Sequence, residues 1–174
     1  MLEQRYELPH LNDERTSEIR YLMLDELQWS LENKRLYFSK QFDQLGHRDY
    51  PQLLLDALAS GTPDTLEEAL DAPGIFRSGT AKRSAQAFVW DEYNKFHMRA
   101  LCRWVQSYSG YELVVVRGRT STVHRDSSDA RLGRRVNPQQ FLEALRETPK
   151  VNPFGANSGL TLMIRKRRKP AKAG

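Results

Sequence analysis

The densest gathering of chemically capable side chains lies in residues 114–128, VVVRGRTSTVHRDSS. A β-branched apolar run stops abruptly, and Arg117, Arg119, Ser121, His124, Arg125 and Asp126 follow at once. Two chemistries suit these residue types. Guanidinium groups present a planar fork of donors that matches phosphate oxygens. Ser121, Thr122, Ser127 and Ser128 add hydroxyl donors, and Gly118 admits a close backbone approach. In the second chemistry, His124 acts as a general base oriented by Asp126 or Asp129, with Ser121 or Ser127 as nucleophile. The G-x-S-x-G turn that presents a hydrolase serine is absent. Phosphate binding is therefore the first reading, and His124 reads as an exposed loop residue.

A second cationic group, RKRR at 165–168, ends the chain's last apolar run, and Arg134 and Arg135 lie between the two groups. The candidate phosphate-binding set is Arg117, Arg119, Arg125, Arg134, Arg135, Arg165, Lys166, Arg167 and Arg168. These residues sit in an uneven charge distribution. Residues 1–110 carry 13 basic and 17 acidic side chains, a net of −4, and residues 111–174 carry 14 and 5, a net of +9. The basic part would attract a polyanion, nucleic acid foremost, while the acidic part suits a protein partner.

Several classes find no footing. The four histidines, at 10, 47, 97 and 124, are dispersed and form neither H-x-x-x-H nor H-E-x-x-H, so no metal site is expected. Cys102 is the single cysteine and falls in an apolar helical pattern, which points to a core residue and rules out an internal disulfide. The Gly and Lys of APGIFRSGTAKRS miss the spacing of a phosphate-binding P-loop. No cofactor is implied. No apolar stretch is long enough to cross a bilayer, and the N-terminus lacks a basic-then-apolar leader, so the expectation is a cytoplasmic protein without a membrane partner.

The elements that must position these residues follow from periodicity. Ile19, Met23, Leu24, Leu27, Leu31 and Phe38 recur at helical spacing, predicting one helix from about 12 to 46, entered at Asn12 or Asp13 and stopped by Gly46. Pro51 opens a second helix that ends at Gly61, and Thr62-Pro63 starts a third. A Gly- and Pro-containing loop follows. Residues 84–108 form a long core helix, with Val89, Tyr93, Phe96, Ala100, Trp104 and Tyr108 along one side. On that helix His97 reads as a core histidine, and Lys95, Arg99 and Arg103 as a solvated basic stripe. Residues 111–116 form a strand covered on both faces, 138–148 a helix capped by Asn137, and 160–164 a second strand. Phe154, in the loop before that strand, reads as a core cap. Tyr108 and Tyr111 are the aromatic residues expected to be exposed, whereas zinc-finger and ribonucleoprotein strand motifs are absent.

The expectation is an α+β protein: an N-terminal helical bundle (1–75), a loop or hinge (76–83), an α/β core (84–164) of a long helix on a small βαβ sheet, and a basic tail (165–174). Parallel pairing of the two strands would bring both cationic exits to one sheet edge, where open α/β sheets bind ligands. The loop at 151–160 would then lie at the opposite edge. The leading functional expectation is a non-catalytic nucleic-acid-associated protein that grips a phosphate backbone through its basic half, as a subunit of a larger complex. The alternatives are a small enzyme acting on a phosphorylated or nucleotide substrate at the 117–128 loop and a protein-binding adaptor.

Overall fold

A computed structural model of the chain describes residues 7–119, 126–147, 152–155 and 158–168. The described elements run α1 (Thr16–Glu32), α2 (Gln44–Ser60), α3 (Pro63–Leu70), α4 (Lys82–Ser107), β1 (Tyr111–Arg117), α5 (Asp126–Asp129), β2 (Arg135–Val136), α6 (Pro138–Glu147) and β3 (Leu160–Lys166). This is an α+β arrangement in which α4 packs against α1, α3, α6 and the sheet. One buried apolar cluster runs from Ile19, Met23 and Leu27 through Leu54 and Leu66 to Leu113, Leu145 and Leu162. No described helix is long and apolar enough to cross a membrane.

Local chemistry accounts for most of these boundaries. Thr62 and Thr65 cap α3 reciprocally, with Pro63 at its first position. Asn137 Oδ1 accepts from Gln140 N at 3.0 Å and opens α6. Asp13 organises the entry to α1, its Oδ1 accepting from Arg15 N at 2.8 Å.

The predicted helix over 12–46 is in fact two elements. Lys34 adopts a left-handed conformation (φ 54°). Arg35 N bonds Ser30 O at 2.7 Å, and Lys34 N bonds Leu31 O at 3.2 Å. This is a Schellman closure with lysine in the usual glycine position, so composition carries no stop signal there. Gly46 is not a stop but a residue of α2: a Cβ there would lie 2.3 Å from Ile75 O. Pro51 falls inside α2, which starts instead at the Asp43 cap. Ile75 is held in turn by Asp43 N, and Arg77 N bonds Gln41 O, so the 71–81 loop is tied to the start of α2.

The sheet is three-stranded, in the order β2-β1-β3, with both pairings antiparallel. The parallel βαβ arrangement expected from the sequence is not the one formed. Val114 pairs with Met163, and Arg117 with Leu160 at one end, while Tyr111 pairs with Lys166 at the other. Helix α6 lies between β1 and β3 in sequence and packs on α4. Residues 112–115 are buried, as expected of a strand covered on both faces.

Helix α4 is buried at every residue from 92 to 102, charged ones included. The basic stripe expected to be solvated is therefore mostly interior. Lys95 Nζ bonds Glu92 Oε1 at 2.5 Å, and Tyr50 OH donates to Glu92 Oε2 at 3.1 Å. Burial pushes the Lys95 pKa down, against the opposing pull of Glu92. Arg99 donates to Ser30 Oγ and to Leu145 O, each at 2.6 Å. Glu26, fully buried on α1, lies 3.9 Å from Arg99, accepts from Arg146 at 2.5 and 3.0 Å, and also pairs with Arg103. Burial draws the Arg99 guanidinium down to about 10, so it remains a cation at neutral pH. One carboxylate thus ties α1, α4 and α6 together.

His97 is buried, as expected of a core histidine. Its Nε2 sits 2.8 Å from Pro9 O, and its Nδ1 3.3 Å from Thr161 Oγ1. Cys102 is also interior, its thiol pKa raised by burial. Phe154 packs on Phe141 with ring centroids 5.1 Å apart, at the core margin.

Two measurements test this packing. Glu26→Gln should lower the unfolding free energy by about 3 kcal/mol or more, because buried Arg99 loses its carboxylate. A Glu26→Met/Arg99→Met double variant should recover part of that loss in urea denaturation, and equal stability of Glu26→Gln and wild type would contradict the account. Burial first, then the nearby charges of His10 and Arg20, hold the His97 pKa down at about 4. The unfolded chain, whose histidine titrates near 6.5, binds the proton more readily. Stability from this group is therefore complete above pH 6.5 and falls by up to about 3 kcal/mol as pH drops towards 4. The slope of stability between those values should flatten in His97→Gln.

Candidate functional site

The antiparallel register decides which cations meet. Arg117 and Arg119 leave β1 at the end where β3 begins: Gly118 N and Arg119 N bond Gly159 O at 2.9 and 3.2 Å. The loop before β3 therefore lies beside this cationic exit, contrary to the expectation that it occupies the other edge. The group at 165–168 leaves the sheet at the opposite end, next to Gly110 and Tyr111. Convergence of the two cationic exits on one edge, which the parallel reading required, does not occur.

At the β1 exit the chain answers its own charge. Arg117 is paired with Asp129 on α5, and Arg131 donates to Pro153 O at 3.2 Å. Arg119 is half-buried and has partners of its own. Gly118 does not leave room for a ligand: a Cβ there would meet Thr161 Cγ2 at 2.6 Å and the Trp90 ring at 3.1 Å. Its missing side chain is needed for internal packing. Asp126, a candidate orienter for His124, is exposed at the start of α5. Ser121, His124 and Arg125 lie outside the described residues.

At the β3 exit the charges are arranged differently. Glu112 on β1 lies between two strands and takes a cation from each. Its Oε1 accepts from Arg165 Nη2 at 2.6 Å and Nε at 3.0 Å, and its Oε2 lies 3.0 Å from Arg135 Nε. The Arg165 hydrogen bond first, then the fields of Arg135, Arg165 and Arg167, hold the Glu112 carboxyl below its ordinary range despite the cost of desolvation. Arg167 Nε donates to Tyr111 O at 2.9 Å, and Arg167 N to Gly110 O at 2.8 Å. Lys166 and Arg168 are exposed, and neither is held in an ion pair among the described residues. Arg134, also exposed, immediately precedes β2. Arg135, Arg165, Lys166, Arg167 and Arg168 thus gather at one end, where Glu112 is the only carboxylate bonded to this group among the described residues.

Aromatic rings stand beside this cationic end. Trp104 and Tyr108, on the last turns of α4 and at its C-cap, stack with centroids 4.2 Å apart at 30°. Trp104 meets Tyr111 edge-on at 5.1 Å. Trp104 Nε1 and Tyr108 OH both donate to Glu18 Oε2, at 2.8 and 2.9 Å. Between α1 and α4 these side chains wall a cleft of about 440 Å³, with Tyr21 and Leu22 opposite. Of the two aromatic residues expected to be exposed, Tyr108 is so and Tyr111 is half-buried. Tyr21 and Trp104 are not among the candidates read from the sequence. Trp104 shares the core stripe of α4, but Tyr21 stands off the buried stripe of Ile19, Met23 and Leu27, a signal available in the sequence. Arg15 lies over Trp104 and Tyr111 at 5.3 and 5.7 Å, its charge engaged by Asp13 and Glu14.

Among the described residues, no group of three or more metal-ligating side chains gathers. Comparison of the chain with protein-family models, curated proteins and solved structures gave no match.

Glu112 is the one acidic side chain set into the cationic strand end among the described residues. Glu112→Gln should therefore elute from an immobilised polyanion at higher salt than the wild type, with the fold checked by circular dichroism. Unchanged elution would show that Arg135 and Arg165 are not masked by it.

Proposed function

We propose that this chain is a non-catalytic nucleic-acid-associated protein that holds a phosphate backbone at the β3 exit, as a component of a larger assembly. The observation that carries the reading is the placement of exposed Lys166, Arg167 and Arg168 at the Gly110–Tyr111 corner, beyond the carboxylate that holds Arg165 and Arg135. Cations with open hydration shells exchange counterions for phosphate oxygens, which supplies most sequence-independent affinity. Arg117 is a weaker candidate, because a phosphate would have to displace Asp129. The candidate set accordingly contracts to Arg135, Arg165, Lys166, Arg167 and Arg168, with Arg134 alongside. The acidic helical part, α1 to α3, is the proposed face for a protein neighbour.

The test is salt-dependent binding to oligonucleotides, followed by fluorescence anisotropy. Affinity should fall steeply as salt rises. Lys166→Gln/Arg168→Gln should weaken binding and lower the logarithmic salt slope by about 0.7–0.9 for each phosphate that is no longer neutralised. Arg117→Gln should change both quantities much less. A slope unaltered in the double variant, or a greater weakening in Arg117→Gln, would overturn the placement.

A further inference from the structure

The cleft beside the cationic strand end deepens the backbone-binding reading and rests on it: we propose that the α1–α4 groove takes an unstacked nucleobase, so that the preferred ligand is a single strand. The walls have the right chemistry. Tyr21 and Tyr108, which flank the same cleft, are 69% and 42% exposed. Trp104 is buried behind Tyr108, stacked on it at 4.2 Å, and the Tyr108 hydroxyl is committed to Glu18, so the flat faces the groove offers an incoming group are those of Tyr108 and Tyr21. Glu18, the acceptor shared by Trp104 and Tyr108, also fixes those two ring planes before any ligand arrives, which reduces the ordering cost of stacking. The volume, about 440 Å³, falls in the small-ligand range.

Charge then separates base from phosphate. The Glu18 carboxylate lies within the groove and repels a phosphate from it. Phosphates on either side of an inserted base must turn towards positive potential. Arg15, over Trp104, is already engaged by Asp13 and Glu14, whereas the β3 exit is reached through touching groups and carries positive charge in excess: Trp104 touches Tyr111, and the Tyr111 carbonyl holds Arg167. A stacking platform joined to a cationic track is the arrangement by which proteins hold single strands without reading sequence. A duplex could engage Lys166 and Arg168 equally well, but its bases remain paired and cannot enter the groove.

Three probes at one salt concentration test this with the full chain: an oligothymidylate, a hairpin duplex with the same number of phosphates, and an abasic strand of the same length. The oligothymidylate should bind roughly tenfold more tightly than either of the others. Tyr21→Ser and Tyr108→Leu should each remove that margin and leave duplex binding unchanged. Tyr21 is largely outside the packed interior, so its variant keeps the test independent of folding, with thermal melts as the check. If all three probes bind equally, or the variants keep the margin, the groove inference falls while the backbone reading stands. If none binds, both fall. If Tyr21→Ser converts a dimer to a monomer in sedimentation and leaves oligothymidylate affinity intact, the groove holds a second copy of the chain and the inference is overturned.

Discussion

The fold depends on burying a helix that carries its own charges. Residues 92–102 of α4 are covered on every side, yet they include Glu92, Lys95 and Arg99. An isolated ion in such surroundings would carry a desolvation penalty of several kcal/mol. The penalty is offset only because each charge is paired: Lys95 with Glu92 on the same helix, Glu92 also with Tyr50 from α2, and Arg99 with Glu26 and Ser30 from α1 and the Leu145 carbonyl from α6. Those partners fix the azimuth of α4 and the positions of its neighbours together. Apolar packing alone would tolerate several rotations of a helix this uniformly covered, whereas hydrogen-bonded charges restrict the choice.

The orientation of α4 in turn sets the sheet. Thr161 donates to Asn94 Oδ1 at 2.6 Å, and Asn94 donates to Leu160 O at 2.9 Å, which anchors the start of β3 on the middle of α4. Gly118 brings the end of β1 against the same Thr161. With the end of β1 and the start of β3 pinned together, the strands run antiparallel. The N-terminal segment closes the outer edge of β3. His10 Nε2 accepts from Ile164 N at 3.0 Å while its Nδ1 lies 2.7 Å from Asp13. An edge donor that would otherwise face solvent is thereby satisfied within the chain.

This register gives the two ends of the sheet different electrostatic characters. At the β1 exit, Arg117 is answered by Asp129. At the β3 exit, Glu112 answers Arg135 and Arg165, which leaves positive charge in excess at 166–168. The aromatic corner of Trp104, Tyr108 and Tyr111 belongs to that second end because α4 stops at Ser107 and a left-handed Gly110 turns the chain into β1. The proposed site therefore arises from one tight turn that joins the end of the central helix to the start of the central strand.

Much of this was legible in the sequence because it is local. Caps at Thr62 and Asn137, the β-branched run of β1 and the apolar density of α4 fix the element types through short-range sterics and burial. The α1–α2 boundary was not legible, because Lys34 takes a conformation usually left to glycine, while Gly46 is small to fit against Ile75, which is distant in sequence. Nor does residue type distinguish a solvated arginine from an interior one: Arg99 and Arg168 differ only in what the fold brings to them. By itself the sequence determined the presence of the longer helices and of the two long strands, though not α5, β2 or the α1–α2 boundary, and the amount of positive charge in the second part. Tertiary structure decided strand direction, and with it which charges are neutralised and which stand beside exposed rings, because pairing across the sheet depends on interactions between residues far apart along the chain.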